Sequence, residues 1–226
     1  MNYKTLILLI GVMMLAVAPN QKQTLPKGFV YVKSVIPDLD VELRYFSENN
    51  FVGDTIDGYK SNRLILTKVT AEKLKLVQAE LQKQNLCLKV YDGYRPQRAV
   101  NHFIRWARDL NDTINKQQFY PEVNKKNVFK AGYIASRSGH SRGSTLDLTI
   151  INGETGKPLD MGSPYDFFGK ESWIAHEDIT EEQKKNRQLL QTVMLKHNFR
   201  NYPKEWWHFT LRWEPFPKTY FDFEIE

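Results

Sequence analysis

Residues 136–150 read SRSGHSRGSTLDLTI, and the rest of the chain is organised around this stretch. Its polar first half contains Gly139 and Gly143, which is typical of a turn, and its second half is rich in Thr, Leu and Ile, which predicts a buried strand. His140 lies in the turn and Asp147 in the strand. A turn lets these two side chains meet, whereas on a continuous helix the same interval would separate them by about 10 Å. The pattern therefore predicts a pair of metal ligands.

A second cluster of reactive side chains lies near the C-terminus, in the EWWH motif at residues 205–208. Two imidazoles and one carboxylate are typical protein ligands of a hydrolytic zinc ion, which keeps an open position for water. His208 would complete this set with His140 and Asp147, and Glu205 would remain as a free base. Because residues three apart face opposite sides of a regular strand, we expect a bulge or turn that lets Glu205, at a loop end, and His208, on the strand, reach one cavity.

Three motifs together resemble a known family. They are DGYRP at residues 92–96, SGHSRGSTLD at residues 138–147 and EWWH at residues 205–208, in this order. In these motifs the chain is similar to the D-alanyl-D-alanine dipeptidases related to the vancomycin-resistance dipeptidase. The similarity extends from about Val41 to the C-terminus. Each motif is weak alone, but their order and joint presence make the resemblance specific.

The resemblance implies both a fold and an activity. The fold would be α+β, a single domain in which an antiparallel sheet carries the zinc site and helices pack on its other face. The substrate would be D-Ala-D-Ala, and the cofactor would be one zinc ion held by His140, Asp147 and His208. Glu205 would take a proton as water attacks the peptide bond and would return it to the departing amine.

Two further roles are implied by the same resemblance. Arg95 follows a predicted strand and precedes a helix, and the matching arginine of the family polarises the scissile carbonyl and stabilises the oxyanion that develops. Without the resemblance, a structural arginine paired to a carboxylate is the ordinary interpretation. Asp166 matches the carboxylate that holds the free amino group of the substrate, which would restrict the enzyme to dipeptides. Asp160 or Glu154 are alternatives for this role.

Three more residues are candidate substrate contacts. Residues 47–61 form a polar, glycine-containing segment, and long ordered loops in a domain are often functional. By position, Tyr45 and Tyr59 match residues of the family segment that encloses the substrate, and the alternative is that both fill a surface groove. Ser138 would lie near the substrate or the metal ligands, with an ordinary turn serine as the alternative.

The sequence supports one leading function and two alternatives. The leading hypothesis is zinc-dependent hydrolysis of D-Ala-D-Ala in the cell envelope, for turnover or salvage of peptidoglycan peptides. The first alternative is a D,D-carboxypeptidase or wall endopeptidase that acts on longer peptides, which an open cleft beside Asp166 would favour. The second is a non-catalytic zinc- or peptidoglycan-binding module, which would have no need of Glu205 or Arg95.

Composition restricts the other possibilities. The net charge of +6 is spread along the chain, and we find no basic stripe with interleaved aromatic residues, so nucleic acid is not an expected partner. The one cysteine, Cys87, lies in an apolar run and is interpreted as a small buried hydrophobe. Of the five histidines, His102, His176 and His197 lack ligand-like surroundings. The pattern gives no indication of an oligomeric state.

The N-terminus predicts export. Residues 1–18 combine Lys4, an uncharged run and a closing Ala-Val-Ala, as in a secretory signal peptide, and residues 19–226 would form the mature domain. The apolar run is short for a permanent membrane span, which needs about 20 residues. We therefore expect a periplasmic or cell-envelope protein without stable membrane insertion once the signal is cleaved. Pro19 disfavours cleavage directly after Ala18.

Local patterns predict several elements of secondary structure. Residues 29–45 are strand-like, residues 67–85 form an amphipathic helix, and Pro96 begins another helix. Residues 111–130 are polar and predicted to be a loop. Thr180 begins the capping box TEEQ, which predicts the start of a further helix.

Overall fold

The computed structural model of the chain describes residues 24–226. The signal segment predicted at residues 1–18 lies outside the described residues and remains a prediction. The strands are β1 (Phe29–Tyr31), β2 (Asp40–Val41), β3 (Ile65–Thr67), β4 (Leu86–Asp92), β5 (Thr145–Asn152), β6 (Phe199–Tyr202) and β7 (Glu205–Leu211). The helices are α1 (Lys68–Gln82), α2 (Gln97–Arg108), α3 (Lys116–Phe119), α4 (Val128–Ala131) and α5 (Glu181–Lys196).

The central sheet has five strands in the order β2-β4-β5-β7-β6. The pairs β4–β5, β5–β7 and β7–β6 are antiparallel, as predicted. The short edge strand β2 differs, because it pairs with β4 in parallel. Strands β1 and β3 form a separate antiparallel ribbon. The α+β class is confirmed.

The long helices α1 and α5 pack against the central sheet. Helix α1 contacts β4, helix α5 contacts β5, β6 and β7, and the two helices also contact each other. On β5, Leu146, Leu148 and Ile150 alternate with polar residues and are completely buried. Helix α2 instead contributes Val100 and Phe103 to the lining of the cavity that is described below. The sheet therefore lies between a hydrophobic layer, which contains α1 and α5, and the polar cavity.

Several predicted helix boundaries are confirmed. The amphipathic helix is α1, whose buried residues include Leu74, Val77 and Leu81. Pro96 is the N-cap residue of α2. At the start of α5, the Thr180 hydroxyl accepts a hydrogen bond from the Gln183 backbone N–H at 3.2 Å, and the Gln183 side chain accepts one from the Thr180 N–H at 2.8 Å.

Two local predictions are wrong in extent. Within residues 29–45 only β1 and β2 are strands, and the 3₁₀ turn Val32–Ser34 separates them. Here Val35 hydrogen-bonds back to Val32, which favours a turn over an extended chain. The segment 111–130 contains the short helices α3 and α4, because buried side chains such as Phe119 and Val128 fix single helical turns against the core.

Bulges in two strands set the positions of the polar residues on the central sheet. In β4, Val90 is opposite Leu148 but Asp92 is opposite Asp147, so Tyr91 is an extra residue. In the β6–β7 pair, Asn201 is opposite Phe209 but Tyr202 is opposite Glu205, which leaves residues 206–208 as the extra ones. The bulge expected near the EWWH motif is therefore present.

Gly143 joins the turn Gly139–Arg142 to β5. Its backbone has φ +77°, and a Cβ atom at this position would overlap the ring of Phe29. The backbone carbonyl of Gly143 also accepts a hydrogen bond from the Thr67 N–H at 2.8 Å. A residue with a side chain would therefore meet both conformational strain and a steric conflict.

We predict that Gly143→Ala destabilises the protein more than Gly156→Ala. Both glycines have positive φ, which costs an L-residue about 1–2 kcal/mol, but among the described residues no atom lies within 4 Å of a Cβ built on Gly156. Overpacking against Phe29 should add about 1–3 kcal/mol to the loss in free energy of unfolding. Urea unfolding of both variants measures the difference, and equal losses would contradict the steric argument.

Candidate active site

A cavity of about 280 Å³ lies where β4, β5 and β7 bring their polar residues together. It collects side chains that are far apart in the sequence. Eight of the predicted site residues line it: Tyr45, Arg95, Ser138, His140, Asp147, Asp166, Glu205 and His208.

The three predicted metal ligands converge within this cavity. His140 Nε2 lies 3.4 Å from His208 Nδ1 and 3.4 Å from Asp147 Oδ1, and His208 Nδ1 lies 3.0 Å from Asp147 Oδ1. Ligand atoms around a tetrahedral zinc ion, with bonds of about 2.0–2.1 Å, would be about 3.3 Å apart. Strand pairing explains part of this geometry, because Asp147 and His208 are directly opposite each other on β5 and β7. The spacing fits a metal ion.

Hydrogen bonds orient two of these ligands toward one point. His140 Nδ1 lies 2.8 Å from the Gly93 carbonyl, which only accepts hydrogen bonds, so Nδ1 carries the proton and Nε2 presents a lone pair. Asp147 Oδ2 accepts a hydrogen bond from the Tyr165 hydroxyl at 3.2 Å. Asp147 Oδ1 is buried and accepts no hydrogen bond of good geometry. A cation shared with the two imidazoles would satisfy this oxygen, which is otherwise costly to bury.

The protonation states of His140 and Asp147 also suit a metal, which binds deprotonated groups. Burial lowers the pKa of His140 and favours the neutral imidazole. Burial favours the neutral form of Asp147, but the neighbouring imidazoles outweigh it and lower the pKa of this carboxyl, so that it is ionised. Burial lowers the pKa of His208, but the adjacent Asp147 outweighs this effect and raises it. At His208 a metal ion therefore competes with a proton.

Glu205 is a carboxylate beside the ligand set. The bulge in β7 puts it on the same cavity as His208, with its Oε2 atom 3.3 Å from His208 Nδ1. Enclosure in the cavity raises the pKa of Glu205 above its ordinary value, and the charge of His208 opposes this rise. A carboxylate whose pKa is shifted toward neutrality is suited to exchange protons with a substrate or water.

Arg95 is held against the metal ligands by Asp92. Its Nε and Nη2 atoms lie 2.9 and 2.8 Å from Asp92 Oδ2, and Nη2 lies 3.5 Å from Asp147 Oδ2. The guanidinium carbon lies 4.9 Å from the ring centroid of Tyr45 and 5.2 Å from that of Phe103. These contacts fix the arginine and leave Nη1 available to another group in the cavity.

Asp166 provides a further, buried carboxyl group in the cavity. Its Oδ2 atom accepts a hydrogen bond from the Tyr45 hydroxyl at 2.8 Å, and the Tyr165 hydroxyl lies 3.3 Å from that of Tyr45. Burial raises the pKa of Asp166 well above its ordinary value, and the charge of Asp147 adds to this rise. The Asp166 backbone has φ +61°, an uncommon conformation that is enriched at functional sites.

Comparison with known proteins agrees with this arrangement. The family described as D-ala-D-ala dipeptidase matches residues 25–226. The chain belongs to this family. It is 37% identical to a D-alanyl-D-alanine dipeptidase of Enterococcus faecium over 88% of this chain and 98% of the relative, and 38% identical to one of Streptomyces coelicolor over 87% and 98%. A D-alanyl-D-alanine dipeptidase of Escherichia coli is 30% identical over 78% of this chain and 81% of the relative.

Tyr59 has a different position from the other predicted residues of this dipeptidase-family chain. It lies outside the cavity lining, and its hydroxyl donates a hydrogen bond to Asp92 Oδ1 at 2.6 Å. Asp92 in turn holds Arg95 and lies 3.4 Å from His140 Nδ1. This position favours a role for Tyr59 in holding Asp92 over the predicted contact with substrate.

The remaining candidates fall into two groups. Ser138 lines the cavity, and its hydroxyl accepts a hydrogen bond from the His140 N–H at 3.2 Å, so it positions the turn that carries His140. The two alternatives to Asp166 lie outside the lining. Asp160 accepts hydrogen bonds from Gly162 and Gln183, and Glu154 accepts one from Asn85.

Sequence reasoning left out two residues that the structure adds to the site. Asp92, the first residue of the DGYRP motif, links Arg95 to His140. Tyr165, which precedes Asp166, hydrogen-bonds to the ligand Asp147. Arg95, in the same motif as Asp92, and Asp166, next to Tyr165, were both predicted as site residues. Proximity in the sequence to a predicted site residue was therefore the signal that could have identified Asp92 and Tyr165.

Outside the cavity, the structure agrees with the interpretation that His197 is not a metal ligand, whereas Cys87 is only half-buried and the prediction of a buried hydrophobe is wrong in degree. His197 ends α5, and its Nε2 atom lies 2.8 Å from Glu80 Oε2, far from the ligand set in the fold. Cys87 is a free thiol on β4. None of the helices within residues 24–226 is both long and apolar enough to span a bilayer.

We predict that the protein binds one divalent metal ion per chain and that His140→Ala and Asp147→Asn lose this ion during dialysis. Each substitution removes one of the three converging ligand atoms. Elemental analysis after dialysis measures the metal content. His197→Ala is the matched control, because it removes an imidazole from outside the cavity. Retention of the metal by both ligand variants, with native circular dichroism, would exclude this site.

Proposed function

We propose that this chain is a zinc-dependent dipeptidase that hydrolyses D-Ala-D-Ala to D-alanine. The observation that carries the proposal is the convergence of His140, Asp147 and His208 beside the uncommitted carboxylate of Glu205. A non-catalytic binding module would need the three metal ligands, but it would have no use for a general base beside them. The D-configuration of the substrate comes from the names of the relatives, which are D-alanyl-D-alanine dipeptidases.

Zinc fits the donor set and would be held by His140, Asp147 and His208. When bound, such an ion acts as a Lewis acid and lowers the pKa of coordinated water to about 7. Around this centre the protein arranges fixed charges in an enclosed cavity. Because those charges are oriented before the substrate arrives, little reorganisation is needed during the reaction.

Glu205 would move the protons. It would accept a proton from the attacking water and pass it to the nitrogen of the departing D-alanine. Its Oε2 atom lies 3.3 Å from His208 Nδ1, which belongs to the ligand set, so the carboxylate lies beside the position where the water would attack. The raised pKa that enclosure gives to Glu205 makes it a better proton acceptor than an ordinary exposed carboxylate.

Arg95 would stabilise the oxyanion that forms from the scissile carbonyl. Asp92 and Asp147 fix its Nε and Nη2 atoms, and the rings of Tyr45 and Phe103 support the guanidinium plane. A donor of this kind typically contributes about 10²–10³ in rate. Its position on the turn after β4 explains how it reaches the cavity.

Asp166 would bind the ammonium group of the substrate. The cation would offset the burial that disfavours the ionised form of this carboxylate. The cavity of about 280 Å³ is at the small end of ligand sites, which typically measure about 300–1,000 Å³. Both features favour a dipeptide over the longer wall peptides of a D,D-carboxypeptidase or endopeptidase.

Export to the cell envelope is part of the proposal and is supported by the signal-like composition of residues 1–18. In that compartment the reaction would serve turnover or salvage of peptidoglycan peptides. In the cytoplasm the same reaction would deplete a precursor of the wall and support glycopeptide resistance.

The proposal is tested by measuring release of D-alanine from D-Ala-D-Ala, alongside release of alanine from L-Ala-L-Ala and from N-acetyl-D-Ala-D-Ala. We expect cleavage of free D-Ala-D-Ala alone, because the acetyl group removes the positive charge that Asp166 would bind. A chelator should abolish the activity, and added zinc should restore it.

Two other results would change the assignment. Efficient cleavage of the acetylated peptide would favour the carboxypeptidase. If the metal-loaded protein released alanine from none of the three peptides, the dipeptidase proposal would be wrong and a binding module would replace it.

A further inference from the structure

The two arginines that line the cavity differ in their partners. Arg95 is bound to Asp92 and Asp147. Arg137 also lines the cavity, but within residues 24–226 its side chain forms no ion pair and no hydrogen bond. The cavity therefore contains one guanidinium whose donors are all available to a ligand.

An aromatic ring supports Arg137 in the absence of an anionic partner. Its guanidinium carbon lies 5.1 Å from the ring centroid of Tyr220. The ring is itself fixed, because Arg142 lies 5.7 Å from the same centroid and pairs with Glu214 through contacts of 2.7 and 2.8 Å. Stacking on a ring leaves the edge donors of a guanidinium free for a carboxylate. Arg137 is thus held without being neutralised.

The charged side chains that line the cavity differ in exposure. Asp166 is 7% exposed. The side chains of Glu205 and His208, beside the reacting centre, are 21% and 20% exposed. Arg137, which also lines the cavity, is exposed to solvent. The lining therefore combines a buried acidic group, Asp166, with an exposed basic group, Arg137.

We propose that Arg137, stacked on Tyr220, binds the free C-terminal carboxylate of the dipeptide. This inference rests on the proposed function, since it concerns the second end of the same substrate. A free dipeptide carries an ammonium and a carboxylate at opposite ends, and the cavity lining offers Asp166 for the first and Arg137, unpaired among the described residues, for the second. With its ammonium on the buried Asp166 and its carboxylate on the exposed Arg137, the dipeptide is held at both ends, and the two side chains together select its length. Arginine is well suited to this role, because its planar guanidinium donates two parallel hydrogen bonds to a carboxylate.

The proposal predicts a specific kinetic change in Arg137→Gln. The readout is the ratio of kcat/KM for D-Ala-D-Ala to kcat/KM for its C-terminal amide, which lacks the negative charge. The wild-type protein should prefer the free acid. In Arg137→Gln, KM for the free acid should rise about 10- to 100-fold, the range expected for a lost charge-assisted hydrogen bond. The effect should be confined to KM and to the charged substrate, so the preference for the acid should disappear.

Three further variants and one control variant separate a carboxylate contact from general damage. Arg137→Lys keeps the charge and should retain part of the preference. Tyr220→Leu removes the stacking ring and should weaken the preference, whereas Tyr220→Phe should keep it. Arg63→Gln is the matched control, because Arg63 is an exposed arginine stacked 3.5 Å from the ring centroid of Tyr31 outside the cavity.

The possible results distinguish failure of this inference from failure of the proposed function. If Arg137→Gln changes neither substrate, or lowers kcat/KM for both equally, Arg137 does not bind the carboxylate and the proposed function still stands. If the wild-type protein cleaves neither substrate, the proposed function fails and this inference fails with it. Loss of the acid preference in Arg137→Gln, with wild-type kinetics in Arg63→Gln, supports the inference.

Discussion

The structure depends on a row of charged side chains that crosses three neighbouring strands inside the protein. Asp92, Asp147 and His208 occupy directly opposed positions on β4, β5 and β7. Two adjacent buried carboxylates repel each other and lose their hydration, so the row is stable only when cations lie beside it. Arg95 and the two imidazoles of the candidate metal site provide positive charge or hydrogen bonds, and Tyr59 and Tyr165 donate to the remaining oxygens.

This constraint explains the irregular parts of the sheet. Without the bulge at Tyr91, Asp92 would not stand opposite Asp147, and without the bulge at residues 206–208, Glu205 and His208 would face opposite sides. The long helices α1 and α5 contact the sheet and can support it because Leu146, Leu148 and Ile150 alternate with the polar residues of β5. The regular parts of the strands therefore contribute to the core, and the bulges place the polar side chains of the site.

The sequence was sufficient for the parts of the site that depend on local patterns. A glycine-broken turn before a β-branched run predicted the pair His140 and Asp147, and the EWWH motif predicted His208 with a free carboxylate. The sequence was insufficient where pairing between distant segments determines the structure. The parallel pairing of β2 and the link from Asp92 to Arg95 and His140 arise from strand register and tertiary contacts, which no short window of sequence specifies. The short helices α3 and α4 form for a similar reason, because burial of Phe119 and Val128 outweighs a polar local composition.

The central claim is that a bound metal ion and Glu205 act as separate parts of one hydrolytic site. The most direct measurement is the zinc content and the rate of D-alanine release from D-Ala-D-Ala on the same preparation of Glu205→Gln, which keeps the shape of the side chain and removes its basicity. The account predicts wild-type zinc content with a rate lower by about 10²–10⁴, the usual contribution of general acid–base catalysis. Near-normal turnover with zinc bound would contradict the assignment of Glu205 as the base.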